Sequence, residues 1–332
     1  MDRDTVGRAE STLTGDRKTA TFRDYLSLAR LDHSTKQIFV VPGLVFAYLL
    51  RGSEGKSVLV EVILGLLTAI CIASANYVIN EYLDRDFDRL HPTKSKRRAV
   101  QSEMSGWVIL TEWLAFIALG LSAALTESST MFTIAYIFAL QGVVYNVPPF
   151  RMKDKAYWDV ISESVNNPIR LAIGWAMVDP GTLPPSSIIL AYWLGGAFLM
   201  GAKRYSEYKE IVAAHSRELL IRYRASFAGY SEDSLMVSCF IYGLLSSFFL
   251  AIFLIKYRLE YLLLMPVVIA LFGYYLAMAM RPNSMAQHPE KLFRDRSLVM
   301  LMAMFAVLFC VTTWIDIPWL SILVGQSYIS LG

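Results

Sequence analysis

The chain has 332 residues, 55% of them hydrophobic and 18% charged, with a mean hydropathy of +0.43 and a formal net charge of +3. That apolar balance excludes an ordinary water-soluble globule, and repeated apolar blocks of membrane-spanning length argue for one polytopic bundle instead of two soluble domains. The small net charge conceals a strong asymmetry along the chain.

Residues 1–35 read as a polar cytosolic tail with no cleavable signal pattern, turning into an interfacial helix near Phe22 to Arg30. Residues 36–332 read as a single transmembrane domain. A spanning helix needs ~20 mostly apolar residues, because each rises ~1.5 Å across a ~30 Å hydrocarbon layer. Nine segments meet that need approximately: Lys36–Leu50, Ser57–Asn80, Ser105–Leu125, Met131–Val147, Trp158–Met177, Pro185–Ala202, Leu235–Ile255, Tyr261–Met280 and Ser297–Ile315. The apolar stretch Ile317–Gly325 is a candidate tenth, partial span. The expected fold is therefore an all-α membrane bundle of about nine transmembrane helices.

With the N-terminus in the cytosol, 26 of the 31 lysines and arginines fall on the cytosolic side of this map. Such a skew obeys the positive-inside rule for a multi-pass protein of the cytoplasmic membrane. The loops on that side are also the long, chemically rich ones, so function is expected to face the cytosol. Cys71, Cys239 and Cys310 are isolated in apolar runs and read as small buried hydrophobes. His33, His91, His215 and His288 are scattered without a zinc-ligand spacing, and none is assigned as a general base.

The second span runs without interruption into Asn80-Glu81-Tyr82-Leu83-Asp84-Arg85-Asp86-Phe87-Asp88-Arg89. Asn80, Asp84 and Asp88 recur every fourth residue, which aligns one amide and two carboxylates on one helical stripe. A divalent cation offsets the repulsion between such acids, and Mg2+ takes one or two protein carboxylates while sharing its other positions with water and substrate phosphates. The alternative is a solvated helix end whose acids pair with Arg85 and Arg89. The following segment, His91-Pro92-Thr93-Lys94-Ser95-Lys96-Arg97-Arg98, adds dense positive charge. Metal-binding acids beside Arg89, Lys94 and Arg97 point to a site for a diphosphate, with lipid-headgroup contact as the alternative for the basic loop.

An Asn-x-x-x-Asp-x-x-x-Asp motif ending the second span, followed by His-Pro-Thr-Lys, resembles the UbiA superfamily of intramembrane prenyltransferases. The resemblance extends over nearly the whole chain. It implies a nine-helix bundle open to the cytosol that binds a phosphorylated isoprenoid or related substrate through Mg2+. Most superfamily members carry a second aspartate-rich motif after the sixth span, whereas this chain has Gly201-Ala202-Lys203-Arg204-Tyr205-Ser206-Glu207-Tyr208-Lys209-Glu210. Exchanging an acid pair for Lys203, Arg204 and Tyr205 removes metal ligands and adds donors for phosphate oxygens. Snorkelling of Lys203 and Arg204 at a helix end is the structural alternative.

The Lys-Arg-Tyr-x-Glu segment, Ser226 with Tyr230, and Pro289-Glu290 with Arg294-Asp295-Arg296 resemble the decaprenyl-phosphate phosphoribosyltransferase branch. That branch joins phosphoribosyl diphosphate to a polyprenyl phosphate and releases diphosphate. Two sequence differences stand out: Glu81 where the branch usually has Asp, and Arg97-Arg98 where it has Arg-Pro. Tyr145 through Asp154 follows the general superfamily pattern instead.

On the fifth span Asp159, Glu163, Asn167 and Arg170 form a polar stripe, read either as pairing of Arg170 with Glu163 or Asn167, or as contacts to substrate. By similarity to the branch, Asn167 and Arg170 contact a ribose or phosphate. Lys36 and Arg30, entering the first span, either meet an acceptor phosphate or anchor the helix at the interface. The expected catalytic residues are Asp84, Asp88, Lys203 and Tyr205, with Mg2+ on Asn80, Asp84 and Asp88. Substrate contacts are expected from Lys36, Arg89, Lys94, Arg97, Asn167, Arg170, Arg204 and Glu207. Partners are then a polyprenyl phosphate, phosphoribosyl diphosphate and the lipid bilayer, with no nucleic acid, and a homo-oligomer is left open. The competing enzyme reading is transfer of an isoprenoid from its diphosphate to an aromatic or other small acceptor. Transport is disfavoured because the ionisable groups gather at one leaflet and not at the midplane.

Overall fold

The computed structural model describes residues 18–52, 58–91, 94–282, 284–287, 292 and 294–323. Twelve helices of seven residues or more carry the fold among them: α1 Phe22–Leu28, α2 Val41–Arg51, α3 Leu59–Asp88, α4 Gly106–Glu127, α5 Ser129–Asn146, α6 Trp158–Ser164, α7 Asn166–Ala176, α8 Ser186–Ala214, α9 Arg217–Tyr223, α10 Glu232–Tyr257, α11 Met265–Ala279 and α12 Arg296–Trp314. A two-residue parallel pairing, β1 Lys18–Thr19 with β2 Ser102–Glu103, ties the start of the described chain to the loop after α3.

Among the described residues six helices are long and apolar enough to cross a membrane: α3, α4, α8, α10, the segment Leu259–Ala279 containing α11, and α12. The other three expected spans take different forms. The first begins as a 3-10 segment, Leu31–Val40, before α2. The fourth is the 18-residue α5. The fifth divides into α6 and α7 around Val165, because Pro168 has no N–H to offer the Ser164 carbonyl one turn back. The expected tenth stretch begins as the four-residue turn Leu320–Leu323, and the rest of it lies outside the described residues.

Small residues let the elements approach. A Cβ on Gly43 of α2 would overlap the Leu171 carbonyl oxygen, and one on Gly174 of α7 would overlap that of Val40. One buried cluster joins Ile72 and Ala73 of α3 to Ile134 and Phe138 of α5 and Ile169 and Ile173 of α7. A second gathers Phe253, Tyr261 and Leu264 against Phe46 of α2 and Phe309 of α12. Outward faces of α10 and α12 present Phe240, Leu244, Phe248, Met300 and Val307, as lipid-facing helices require. Cys71 and Cys239 are buried as expected, but Cys310 is exposed on the outward face of α12, since that helix covers the bundle on one side only.

Two helices exceed the length a bilayer demands. At 30 and 29 residues, α3 and α8 are about 45 Å long, roughly 15 Å more than the hydrocarbon layer. Their excess turns project from the same end of the bundle, and those turns carry Asn80 to Asp88 and Lys203 to Glu210.

Candidate active site

The end of α3 forms one wall of a cleft of about 310 Å³ lined by Asp84, Asp88, Lys94, Arg151, Lys153, Asp154, Tyr223 and Arg224. Every lining side chain is polar or charged. The helical spacing places Asp84 and Asp88 one turn apart on this wall, and Asn80, a turn earlier, donates to the Asn146 side chain at 2.5 Å.

The acids meet cations from the loops, not from their own helix. Asp84 Oδ1 lies 2.5 Å from Lys153 Nζ and 3.0 Å from Arg151, while Asp88 is 2.7 Å from Arg97. The expected alternative pairing with Arg85 and Arg89 does not form: Arg89 turns to Asp86 at 3.0 Å, and Arg85 stacks over Tyr82 and donates to its carbonyl. Arg89, expected among the substrate contacts, lies outside the cleft lining, because position 89 is turned about 140° from Asp84 and about 100° from Asp88 around the helix end. Glu81 is buried and holds Arg30 at 3.0 Å, with Arg97 at 3.8 Å. Arg97 thus joins Asp88 to Glu81, and Glu81 carries the link to Arg30.

Lys94 lines the cleft with its ammonium 3.4 Å from Glu207 Oε1. Burial pushes its pKa down, and burial likewise pushes Lys153 down to about 8 against the opposing pull of Asp84. Glu207, expected to touch substrate, is 4% exposed and fully engaged by the protein itself. It accepts from Tyr223 at 3.1 Å and lies 3.4 Å from His91, while its second oxygen lies 3.1 Å from Arg204. Its role in this arrangement is to gather Lys94 and Tyr223 at the cleft. Pro92, Thr93, Pro289 and Glu290 of the quoted motifs lie outside the described residues.

Arg204 occupies the place where most superfamily members carry the second aspartate-rich motif. Its guanidinium contacts Asp159 at 3.0 Å, Glu163 at 3.2 Å and Glu207 at 3.1 Å, with its side chain 3% exposed. The carboxylates at this place are thus present but bound to an arginine. The expected pairing of Arg170 with Glu163 is not formed. Arg170 donates instead to Gln37 Oε1 and the Asn166 carbonyl, each at 3.3 Å, and lies over Phe138. Asn167 packs against Gly196 of α8, whose missing side chain makes the room.

Lys203 makes no hydrogen bond or ion pair among the described residues, and its electrostatic neighbours are Glu163, Arg204, Lys36 and Glu207. Lys36 lies over the Tyr77 ring at 5.2 Å, as does Arg30 at 5.8 Å. A smaller pocket of about 180 Å³ opens beside them, lined by Arg30, Gln37, Ser74 and Tyr77 among others. Tyr205, expected to be catalytic, is placed elsewhere. Its hydroxyl donates to Glu232 at 3.0 Å and its ring is packed with Leu220, Phe227 and Leu235, because one residue beyond Arg204 the helix has turned about 100° toward α9 and α10.

Five cleft residues escaped assignment from sequence: Arg151, Lys153, Asp154, Tyr223 and Arg224. The two cations in the short loop after α5 were legible as an Arg-x-Lys pair, but nothing local to the sequence announces that they face α3.

The donor set suits a hard cation. Asn80, Asp84 and Asp88 offer only oxygen ligands along one stripe, whereas among the described residues no three of His, Cys, Asp and Glu converge to enclose a metal alone. A cation here would need oxygens from water and substrate phosphates, as Mg2+ usually does.

A family model described as the UbiA prenyltransferase family matches residues 39–298. The chain is 27% identical over 201 residues to the protoheme IX farnesyltransferase of Alkalihalophilus pseudofirmus, covering 58% of this chain and 63% of that protein. It is 28% identical over 184 residues to the decaprenyl-phosphate phosphoribosyltransferase of Mycolicibacterium smegmatis, covering 52% and 54%. The matches thus span somewhat over half the length of these relatives. A UbiA homolog from Archaeoglobus fulgidus bound to DMAPP and Mg2+ superposes with a TM-score of 0.66 at 23% identity, over 88% of this chain and all of that one. The same homolog bound to GPP and Mg2+ gives 0.65 at 22% identity. With its all-α polytopic fold, this membrane protein belongs to the UbiA prenyltransferase family.

Proposed function

We propose that the enzyme transfers a phosphoribosyl group from phosphoribosyl diphosphate to a polyprenyl phosphate and releases diphosphate. The observation that carries this reading is the lining of the cleft: eight polar or charged side chains and no apolar one, suited to a hydrophilic sugar phosphate. The engagement of Asp159, Glu163 and Glu207 by Arg204 supports it, because those acids are not free to hold a second metal for a prenyl diphosphate.

Mg2+ held by Asn80, Asp84 and Asp88 would supply neutralisation of the charge gathering on the departing diphosphate. Arg151, Lys153, Lys94 and Arg224 face the same cleft and present cationic donors to phosphate oxygens, the strongest kind of neutral-pH hydrogen bond available to a protein. Because loop and helix contacts already fix these side chains, little reorganisation is needed when charge develops. The bond from the anomeric carbon to the diphosphate oxygen breaks, and a phosphate oxygen of the lipid forms the new bond to that carbon. Lys203, without a fixed partner, together with Lys36 and Arg170 orients the acceptor phosphate, and the apolar bundle receives its isoprenoid tail from the bilayer. The cation skew supports a cytosolic setting for this end of the molecule and the cytoplasmic membrane for the protein, and in this reading residues 36–332 act as one catalytic domain.

The second reading is transfer of an isoprenoid from its diphosphate to an aromatic or other small acceptor. It is favoured by the similarity to a protoheme IX farnesyltransferase. Purified protein with Mg2+, labelled phosphoribosyl diphosphate and polyprenyl phosphate, run beside prenyl diphosphate with 4-hydroxybenzoate, tests the two. Lipid-linked label only in the first reaction is the expected result, and product only in the second overturns it.

A further inference from the structure

Asp159 lies outside the cleft and has no solvent exposure, yet it carries a charge whose burial is costly unless fully compensated. Four donors compensate it, one from α8 and three from residues 224–230. Tyr230 donates to Oδ1 at 2.6 Å. Oδ2 accepts from Arg204 at 3.0 Å, Ser226 at 3.1 Å and Arg224 at 3.4 Å. Three of these donors belong to the strap formed by α9 and the 3-10 segment Ala225–Gly229, which runs across the charged end of the bundle. The strap is fastened a second time at the same place, where the Tyr157 N–H donates to the Tyr230 hydroxyl at 2.6 Å.

Arg224 is the one member of this knot that also lines the cleft. Its Nη2 donates both to the Tyr145 hydroxyl at 3.0 Å and to Asp159 Oδ2 at 3.4 Å, and its Nε donates to Ser226 Oγ at 3.3 Å. Tyr145 in turn donates to Glu163 at 2.7 Å, so the orientation is braced from α5 and α6 together. A guanidinium held by acceptors on one edge presents its remaining N–H groups in a fixed fork.

We propose that Asp159 is a positioning residue of the transfer reaction: it seats the strap on α6 and α8 and so aims the Arg224 guanidinium into the cleft, where Arg224 binds a phosphate oxygen of the diphosphate-bearing substrate. This rests on reading the cleft as the diphosphate site, but not on which group is transferred. Inorganic diphosphate with Mg2+ is accordingly the probe, titrated by calorimetry into the full chain in detergent.

Arg224→Gln is expected to weaken diphosphate binding ~10- to 100-fold, and Asp159→Asn, in which one charged acceptor becomes a neutral amide, ~10-fold. The deciding readout is the double variant. If Asp159 acts through Arg224, Asp159→Asn adds no further loss in the Arg224→Gln background, whereas a role confined to stability would multiply the two losses. Additive losses, or unchanged affinity in Asp159→Asn, overturn the proposal. Should Asp159→Asn not yield folded protein, Tyr230→Phe removes one fastening of the strap while leaving the carboxylate, and the same cycle with Arg224→Gln is read. A wild-type chain that binds no diphosphate overturns the cleft reading and this proposal together; one that binds while the cycle is additive overturns this proposal alone.

Discussion

Two acidic clusters stand at the charged end of the bundle, and they are neutralised in opposite ways. On α3, Asp84 and Asp88 line an open cleft, and their partners Arg151, Lys153 and Arg97 come from loops. Around α8, Asp159, Glu163 and Glu207 close on the single buried Arg204. An exchangeable partner at a solvent-reached cleft leaves a carboxylate available to a metal and a phosphate. A buried arginine with three carboxylates is part of the architecture, since removing any member strands charge in a medium that solvates it poorly. The contrast separates the residues proposed to meet substrate from those that hold them in place.

Substitution of Asp84 or Asp88 by Asn is the strongest way to break this contrast. Each is expected to lower Mg2+-dependent turnover ~1000-fold or more while leaving thermal unfolding in detergent nearly unchanged. A variant lacking both acids yet fully active would remove α3 from the mechanism. Arg204→Ala should do the reverse at first contact, destabilising the fold by about 3–5 kcal/mol through its three stranded acids, as read from the unfolding midpoint and loss of folded protein. A stable, inactive Arg204→Ala protein would show instead that Arg204 works on substrate.

Smaller effects sharpen the assignment of the loops. Arg151→Gln is expected to raise the KM for the diphosphate-bearing substrate ~10-fold with little change in the KM of the lipid, measured by initial rates at fixed Mg2+. Equal changes in both would place Arg151 in general folding of the cleft. Tyr205→Phe, which removes one hydrogen bond to Glu232, should cost about 1 kcal/mol of stability and leave kcat within twofold. A large fall in kcat would return Tyr205 to the catalytic set.

The acid stripe was legible because helical periodicity is a local property: Asn80, Asp84 and Asp88 must share a face whatever surrounds them. Their cations were not, since Arg151 and Lys153 reach Asp84 from 67 and 69 residues away in sequence. Proximity along the chain favoured Arg85 and Arg89, but helix geometry turns Arg89 toward Asp86 instead. Glu207 was expected to contact substrate, and what the sequence did not show is that His91, Lys94, Tyr223 and Arg204 all close on it. The fifth span read as one helix because its apolar content is continuous, and a single missing N–H at Pro168 divides it.

Composition and the order of apolar segments determined by themselves that this is an α-helical membrane protein with its chemistry at one end, because desolvating a backbone leaves few alternatives to helices. The motif on α3 determined which acids share one face at the proposed site. Which cation meets which acid, and whether a carboxylate is offered to a ligand or spent on an arginine, was decided by tertiary structure. Those pairings depend on short distances between segments far apart in sequence, and electrostatic interaction in a poorly solvated bundle turns on ångströms.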